Sequence, residues 1–266
     1  MPYFTTTDNC RIYYVFDEPA PTWPVIVFLN GLAQTTTYWH GQVKFFADRY
    51  RTLRYDGRAQ GNSTAGTEPL SPTRHTADLA ALFEHLGIGS ASLVGLSHGA
   101  YVALAFAARH PERVDKLVVC SLRAGRYGDS DIVARWLEKL AGEGLDAYAR
   151  DVIAAATGRT FRARHTRLIP MMADAVTARN SASGLARQLE AMQGYPAAGE
   201  TASRINVPAL ILSGGEDEIV PAGDACVLAD RMNASSAIIR TAGHSLPVEA
   251  PEKFNALVFD FLNRAT

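Results

Sequence analysis

The sequence predicts an α/β protein: a mostly parallel central sheet flanked by helices and interrupted by one helical insertion. Three observations carry that prediction. Short, unbroken apolar runs recur along the chain, of the kind that suits strands buried on both faces of a parallel sheet. Helix-period segments lie between them, so strand and helix alternate from about 25 to 122 and again from about 207 to the end. Between those blocks, residues of about 123–204 lose the strand signal and keep helix formers, punctuated at Gly142, Gly144, Gly158, Gly184 and Gly194.

The elements follow in order. Residues of about 3–18 alternate and end at Pro19, with TTDNCR as a central turn, and read as a hairpin. VIVFLNG (25–31), ASLVGLS (91–97), KLVVCSL (116–122) and ALILSGG (209–215) are the four clearest buried strands, and SAIIRTAG (236–243) is a fifth, less hydrophobic one. TRHTADLAALFEHLGI (73–88) has a helical apolar repeat, and GAYVALAFAARH (99–110) is small and apolar enough for a buried helix. PEKFNALVFDFLNR (251–264) starts a helix with proline in its first turn. The expected organisation is one α/β core formed by 1–122 and 205–266, with 123–204 as a helical insertion. No internal repeat or low-complexity tract is visible.

Composition narrows the class. Apolar residues make up 47% of the 266, enough for a buried core, and a formal charge of −1 gives no reason to expect a nucleic-acid surface. Cys10, Cys120 and Cys226 are far apart and odd in number, which argues for free thiols and against a disulfide framework or a zinc site. The first residues lack a basic-then-apolar secretory pattern, and no apolar run reaches the roughly 20 residues that span a bilayer. A cytoplasmic protein with no membrane contact is the expectation.

In a doubly wound sheet, ligands sit at the carboxyl ends of the strands. Gly95-Leu96-Ser97-His98-Gly99 is a G-x-S-x-G that ends one strand and opens directly into a helix. That placement suits a nucleophilic serine on a strained strand-to-helix turn, with a helix N-terminus behind it where an oxyanion would form. The alternative is a tight turn with an ordinary serine. SGGEDEIVP (213–221) brings three carboxylates to a second strand end; Asp217 is the candidate to orient an imidazole, with Glu216 and Glu218 as substitutes. His244 follows the last apolar run, completing the order Ser97, Asp217, His244 with each member at a strand end. His98 adjoins Ser97 but points into the start of the helix, so its backbone N–H is expected to serve an oxyanion and its ring is not expected to act as base. A second oxyanion amide is expected from the loop after 25–31, at Leu32.

These residues resemble the α/β-hydrolase superfamily over nearly the whole chain. RYDGRAQGNST (54–64) is similar to that superfamily's D-x-R-G-x-G-x-S loop, with Ala59 in place of a usual glycine, and AARHPERVDKLVV (107–119) matches the helix and strand after the elbow. LNGLAQTTTYWHGQV (29–43) and TFRARHTRL (160–168) resemble 3-oxoadipate enol-lactonases and their relatives; Asn30 stands where a histidine is common. The resemblance implies an α/β-hydrolase fold in which 123–204 is a cap over the active site. Its large side chains Trp136, Leu137, Tyr148, Phe161, Met171, Met172 and Met192 either line an acyl pocket or pack the cap on the core, with Trp136, Phe161, Arg162 and Met171 the expected substrate contacts. Arg159, Arg162, Arg164 and Arg167 cluster beside His165, as a carboxylate receptor, a dock for an acidic carrier protein or a solvated face.

The expectation is a serine hydrolase of a small carboxylic ester or lactone, acting through an acyl-enzyme with no metal, nucleotide or other cofactor. Alternatives within the same chemistry are an acyl-thioester or carrier-protein methyl-ester hydrolase, with an acyl carrier protein as partner, and a carbon–carbon bond hydrolase. A serine at 97 excludes the aspartate-nucleophile mechanisms of haloalkane dehalogenases and epoxide hydrolases. A non-catalytic small-ligand receptor on the same fold is the rival from another class.

Overall fold

A computed structural model of the chain describes residues 2–264. Eight strands form one sheet in the order β1-β2-β4-β3-β5-β6-β7-β8. They are β1 (Tyr3–Thr5), β2 (Arg11–Asp17), β3 (Val25–Leu29), β4 (Arg51–Tyr55), β5 (Ala91–Leu96), β6 (Val114–Cys120), β7 (Ala209–Gly214) and β8 (Ser235–Ile239). β2 runs antiparallel to β1 and to β4, and every pairing from β4 to β8 is parallel.

The unbroken apolar runs are explained by burial on both faces. Val27, Leu29, Leu93, Leu117, Val119 and Ile211 pack on one side, against α2 (Pro72–Leu86), α3 (His98–Arg109) and α10 (Gly223–Met232). Ile26, Phe28, Val94, Leu96, Val118, Cys120 and Leu212 face the other side, against α1 (His40–Phe46), α11 (Leu246–Glu249) and α12 (Pro251–Leu262). Period-two alternation sends successive apolar residues to opposite cores. Between β6 and β7 the chain forms α4 (Asp131–Gly142), α5 (Leu145–Ala156), α6 (Arg159–Arg164), α7 (Leu168–Arg179), α8 (Ala182–Gln193) and α9 (Ala198–Ala202). Among the described residues no helix is long and apolar enough to cross a membrane.

The sequence reading leaves α1, β4 and α10 unmarked. β4 reads RTLRY, and its two arginines disguise a strand whose other three residues are buried. The guanidiniums reach sideways, Arg54 to Asp17 at 2.7 Å and Arg51 to Glu18.

The loop after β4 is pinned by a buried ion cluster. Arg58 is fully buried and donates to both oxygens of Asp78, at 2.5 and 2.7 Å, and to both of Asp8, at 2.6 and 2.7 Å. Ala59 takes φ +61° there, the left-handed conformation that a glycine would adopt freely. Asp8→Ala is expected to cost about 3–5 kcal/mol of stability, because it strips one of two counter-charges from a buried guanidinium. Chemical denaturation checks it. Arg58 holds the Asp8 carboxyl well below the usual carboxylate range, so its contribution is present above the unfolded carboxylate pKa and fades as pH falls below it.

Candidate active site

Ser97 joins β5 to α3 at φ +53°, ψ −118°, a backbone conformation few non-glycine residues adopt. Strain of about 1–3 kcal/mol persists only where the surroundings enforce it. Here the Ser97 N–H donates to the Cys120 carbonyl at 2.9 Å, and the Ser97 carbonyl accepts from the Tyr101 N–H at 3.0 Å. The flanking glycines are sterically required. A Cβ at Gly95 would lie 2.6 Å from Ala100 Cα, and one at Gly99 would lie 2.3 Å from the Leu29 carbonyl oxygen. The turn therefore sits directly on the end of β3.

The adjacent histidine turns away. His98 is buried, its ring edge-on to His75 with centroids 4.9 Å apart, and its Nε2 lies 3.1 Å from Gln188 Nε2 and 3.4 Å from Tyr195 Oη. Burial pushes its pKa down to about 4, so the ring is neutral at pH 7. Its side chain is directed to a polar contact between α3 and the 182–195 stretch of the insertion, not into the pocket that Ser97 lines.

The loop after β3 is held by its own amides. Gly31 N–H donates to Gln34 Oε1 at 2.7 Å, Ala33 N–H to Gln60 Oε1 at 2.8 Å, and Thr36 N–H to Asp56 Oδ1 at 2.7 Å. Asn30 bridges Trp39 Nε1 and the Tyr55 carbonyl, both at 2.9 Å. Leu32 N–H has no hydrogen-bond partner among the described residues, and Leu32 lines the pocket.

The three carboxylates after β7 go to three different partners. Asp217 Oδ2 lies 2.9 Å from His244 Nδ1, while its Oδ1 accepts the N–H groups of Ile219 and Val220, each at 2.9 Å. Burial works to raise the Asp217 carboxyl, but the His244 imidazole and those two amides outweigh it and hold it below its ordinary value. Glu216 instead accepts from Thr160 N–H at 2.7 Å and faces Arg159, and Glu218 pairs with Arg162 at 2.8 Å. Neither replaces Asp217 beside the imidazole. Among the described residues, no group of three or more His, Cys, Asp or Glu side chains is placed to hold a metal ion.

Ser97 and His244 line one cavity of about 280 Å³, closed on one side by the strand-end loops and on the other by α4, α5 and α7. Its wall is mostly apolar: Leu32, Trp136, Val152, Ile153, Met172, Val176, Ile219 and Val248. Trp136 stands where a substrate contact is expected, but three other expectations are corrected. Met171 is 63% exposed and points away, because the helical phase of α7 turns Met172 inward in its place. Phe161 is buried against the His165 ring, centroids 4.4 Å apart, and does not reach the cavity. Arg162 is committed to the Ala154 and Thr157 carbonyls and to Glu218. Tyr148 and Met192 are buried in the core and pack the insertion down.

Several lining residues escape the sequence reading. Arg179, at the end of α7, is the one permanent charge on the wall among the described residues, and its Nη1 donates to Thr37 Oγ1 at 2.6 Å. Leu168, Met172, Ala175, Val176 and Arg179 recur at helical spacing, but α7 reads LIPMMADAVTAR, apolar on most of its faces, so the sequence gives no clear phase for its cavity side. The buried Tyr127 hydroxyl stands beside Ser97 without a hydrogen-bond partner among the described residues, and nothing in its local sequence marks it.

The model of a family described as the alpha/beta hydrolase fold matches residues 24–251. The chain belongs to the α/β-hydrolase family. This α/β-hydrolase is 27% identical over 244 residues to a 3-oxoadipate enol-lactonase 2 of Acinetobacter baylyi, covering 91% of this chain and 89% of that one. It is 32% identical over 259 residues to a 2-hydroxy-6-oxononadienedioate/2-hydroxy-6-oxononatrienedioate hydrolase of Burkholderia vietnamiensis, covering 90% and 87%. Among solved structures it is similar to an enol-lactonase from Burkholderia xenovorans, with a TM-score of 0.91, 28% identity and coverage of 99% and 100%. The α/β-hydrolase fold and the likeness to enol-lactonases expected from the sequence are thereby met.

Proposed function

We propose that this α/β-hydrolase is a serine hydrolase that opens a carboxylic ester or lactone through an acyl-enzyme on Ser97. The observation that carries the reading is the strained Ser97 turn sharing a cavity with a histidine whose far nitrogen is already 2.9 Å from a buried carboxylate. His244 takes the Ser97 proton as the oxygen attacks the carbonyl carbon. Asp217 holds the imidazole in the tautomer that leaves Nε2 able to accept, and stabilises the imidazolium. The amides of Leu32 and His98 receive the oxyanion, each such donor being worth about 10²–10³ in rate. His244 then returns the proton to the leaving oxygen, and water activated by the same ring releases the acid. The helices of 123–204 act as a cap that gives the acyl or lactone portion an apolar wall.

Relatives named as enol-lactonases support the lactone half of this reading. The carrier-protein alternative rests on the four clustered arginines, of which Arg159 and Arg162 are engaged by Glu216 and Glu218. The test of the main reading is the intact mass after fluorophosphonate treatment. One adduct on the wild type and on His98→Ala, mapped to Ser97, is the expected result. An inert wild type would favour a ligand receptor.

Arg179 extends the proposal to substrate charge. It lines the same cavity as Ser97 and would pair with a carboxylate carried by the substrate. Arg179→Met is expected to raise KM for such an ester about 10–100-fold, the factor for a charge-assisted hydrogen bond of about 1.5–3 kcal/mol. A neutral ester of equal length should change little. Steady-state kinetics on the matched pair checks it, and an equal effect on both would remove Arg179 from substrate recognition.

A further inference from the structure

Glu249, at the end of α11, does not line the cavity, yet it holds the chain on both sides of His244. One carboxylate oxygen, Oε2, accepts the N–H of Gly243 at 2.9 Å and of Gly158 at 2.8 Å; the other, Oε1, accepts the N–H of Ser245 at 3.1 Å. The Ser245 N–H is shared with the Ala156 carbonyl at 3.0 Å. A single side chain thus clasps residues 243 and 245 to the turn between α5 and α6 of the insertion. The two backbones are in contact: a Cβ on Gly243 would lie 2.3 Å from the Gly158 nitrogen. Asp217 bonds the imidazole directly, while Glu249 lies near enough to interact with its charge, with the Tyr38 phenol near Glu249. Glu216 and Glu218 face Arg159 and Arg162.

We propose that Glu249 is a positioning residue, whose carboxylate sets the orientation of His244 and the seat of the helical insertion through the same three amide bonds. This rests on the reading of His244 as the general base. Loosening the bonds at Gly243 and Ser245 lowers the rate of proton transfer from Ser97, and loosening the one at Gly158 also shifts the insertion, whose Ala156 lines the pocket. The insertion and the base are then coupled, because displacing the 156–158 turn displaces residues 243–245.

A purely structural prop would show itself differently. Burial raises the Glu249 carboxyl above its ordinary range, against the pull of the three amides and of His244. A carboxyl raised in the folded state ionises more readily in the unfolded chain, so above its unfolded pKa the charged form costs folding stability. Neutralising it should therefore spare stability while harming function.

Glu249→Gln and Glu249→Ala would be compared with wild type in three measurements: the rate of fluorophosphonate addition to Ser97, kcat and KM on a small neutral ester, and Tm at pH 7. In Glu249→Gln the remaining oxygen can keep Gly158 and Gly243, and Ser245 N–H keeps the Ala156 carbonyl. The expected result is about a tenfold fall in both labelling rate and kcat, equivalent to about 1.4 kcal/mol, with the effect on KM smaller than that on kcat and Tm within about 4 °C of wild type. Glu249→Ala should fall further, by about a hundredfold, and Gln should rescue part of it. Labelling and turnover within twofold of wild type in both variants overturns the proposal. So does a kcat loss that tracks a lowered Tm and disappears when the assay is cooled. A wild type that never labels at Ser97 overturns the triad reading and this proposal with it; a labelling wild type with equally reactive variants overturns this proposal alone.

Discussion

Ser97→Ala is expected to lower turnover of an ester or lactone substrate by about 10⁴–10⁶-fold, the range over which removing a serine nucleophile leaves only oxyanion and binding contributions. The loss should come without unfolding. Alanine keeps the Cβ, and the strain at φ +53° is a backbone property imposed by the packing of Gly95 and Gly99 on their neighbours. The Ser97 hydroxyl lies beside the buried Tyr127 hydroxyl, which has no well-formed hydrogen bond of its own among the described residues, so little native interaction is lost with it. Stability within about 0.5 kcal/mol of wild type is therefore expected, as for substitutions that touch no packing or hydrogen bond. His98→Ala should show the reverse pattern. It removes a ring that contacts His75, Gln188 and Tyr195, and so costs stability, while its amide stays in place at the start of α3. Turnover below one-hundredth of wild type in His98→Ala at full fold would mean that the wrong histidine has been assigned.

Those contrasts also mark what a sequence can and cannot disclose here. Ser97 and His244 are legible because strand-end placement is a one-dimensional property: each follows an apolar run, and a parallel sheet brings those ends to one edge. Asp217 is less so. Of three adjacent carboxylates the sequence favours Asp217 by its spacing from Gly214 and Pro221 but leaves its neighbours as substitutes, and the three become distinct when α6 approaches and draws Glu216 to Thr160 and Glu218 to Arg162. Met171 and Met172 differ by about 100° of helical phase, which the composition of the insertion does not convey. Arg162 fits a substrate carboxylate in sequence but is satisfied by carbonyls and Glu218 in the fold. β4 is hidden because its arginines find acids at the end of β2 and just beyond it, 33 and 37 residues away along the chain. The unread parts are those in which a polar side chain's partner comes from a distant segment.

The acid assignment has its own expected outcome, with an internal control in the same loop. Asp217→Asn should lower kcat/KM by about 10⁴-fold at pH 7, because an amide can donate to Nδ1 and leave the proton on the nitrogen that faces the serine. The oxygen of the substituted side chain would still accept the Ile219 and Val220 amides, so the turn after β7 should survive. The stability of this variant should nonetheless fall somewhat. The native carboxyl is held below its ordinary value in the fold, so its contribution is present above the unfolded carboxylate pKa and is lost as pH falls below it; the asparagine variant lacks it throughout. Glu218→Gln, on an exposed pair with Arg162, should stay within about twofold of wild type, as surface ion pairs contribute little. Glu216→Gln weakens an anchor of α6 at Thr160 and should act chiefly through KM, with a smaller loss in kcat carried through the adjoining 156–158 turn. kcat/KM measured on the three variants with one ester separates the roles. A loss of the 10⁴ order at Glu216 or Glu218, with Asp217→Asn active, would move the orienting carboxylate along the loop and with it the register of the proposed triad.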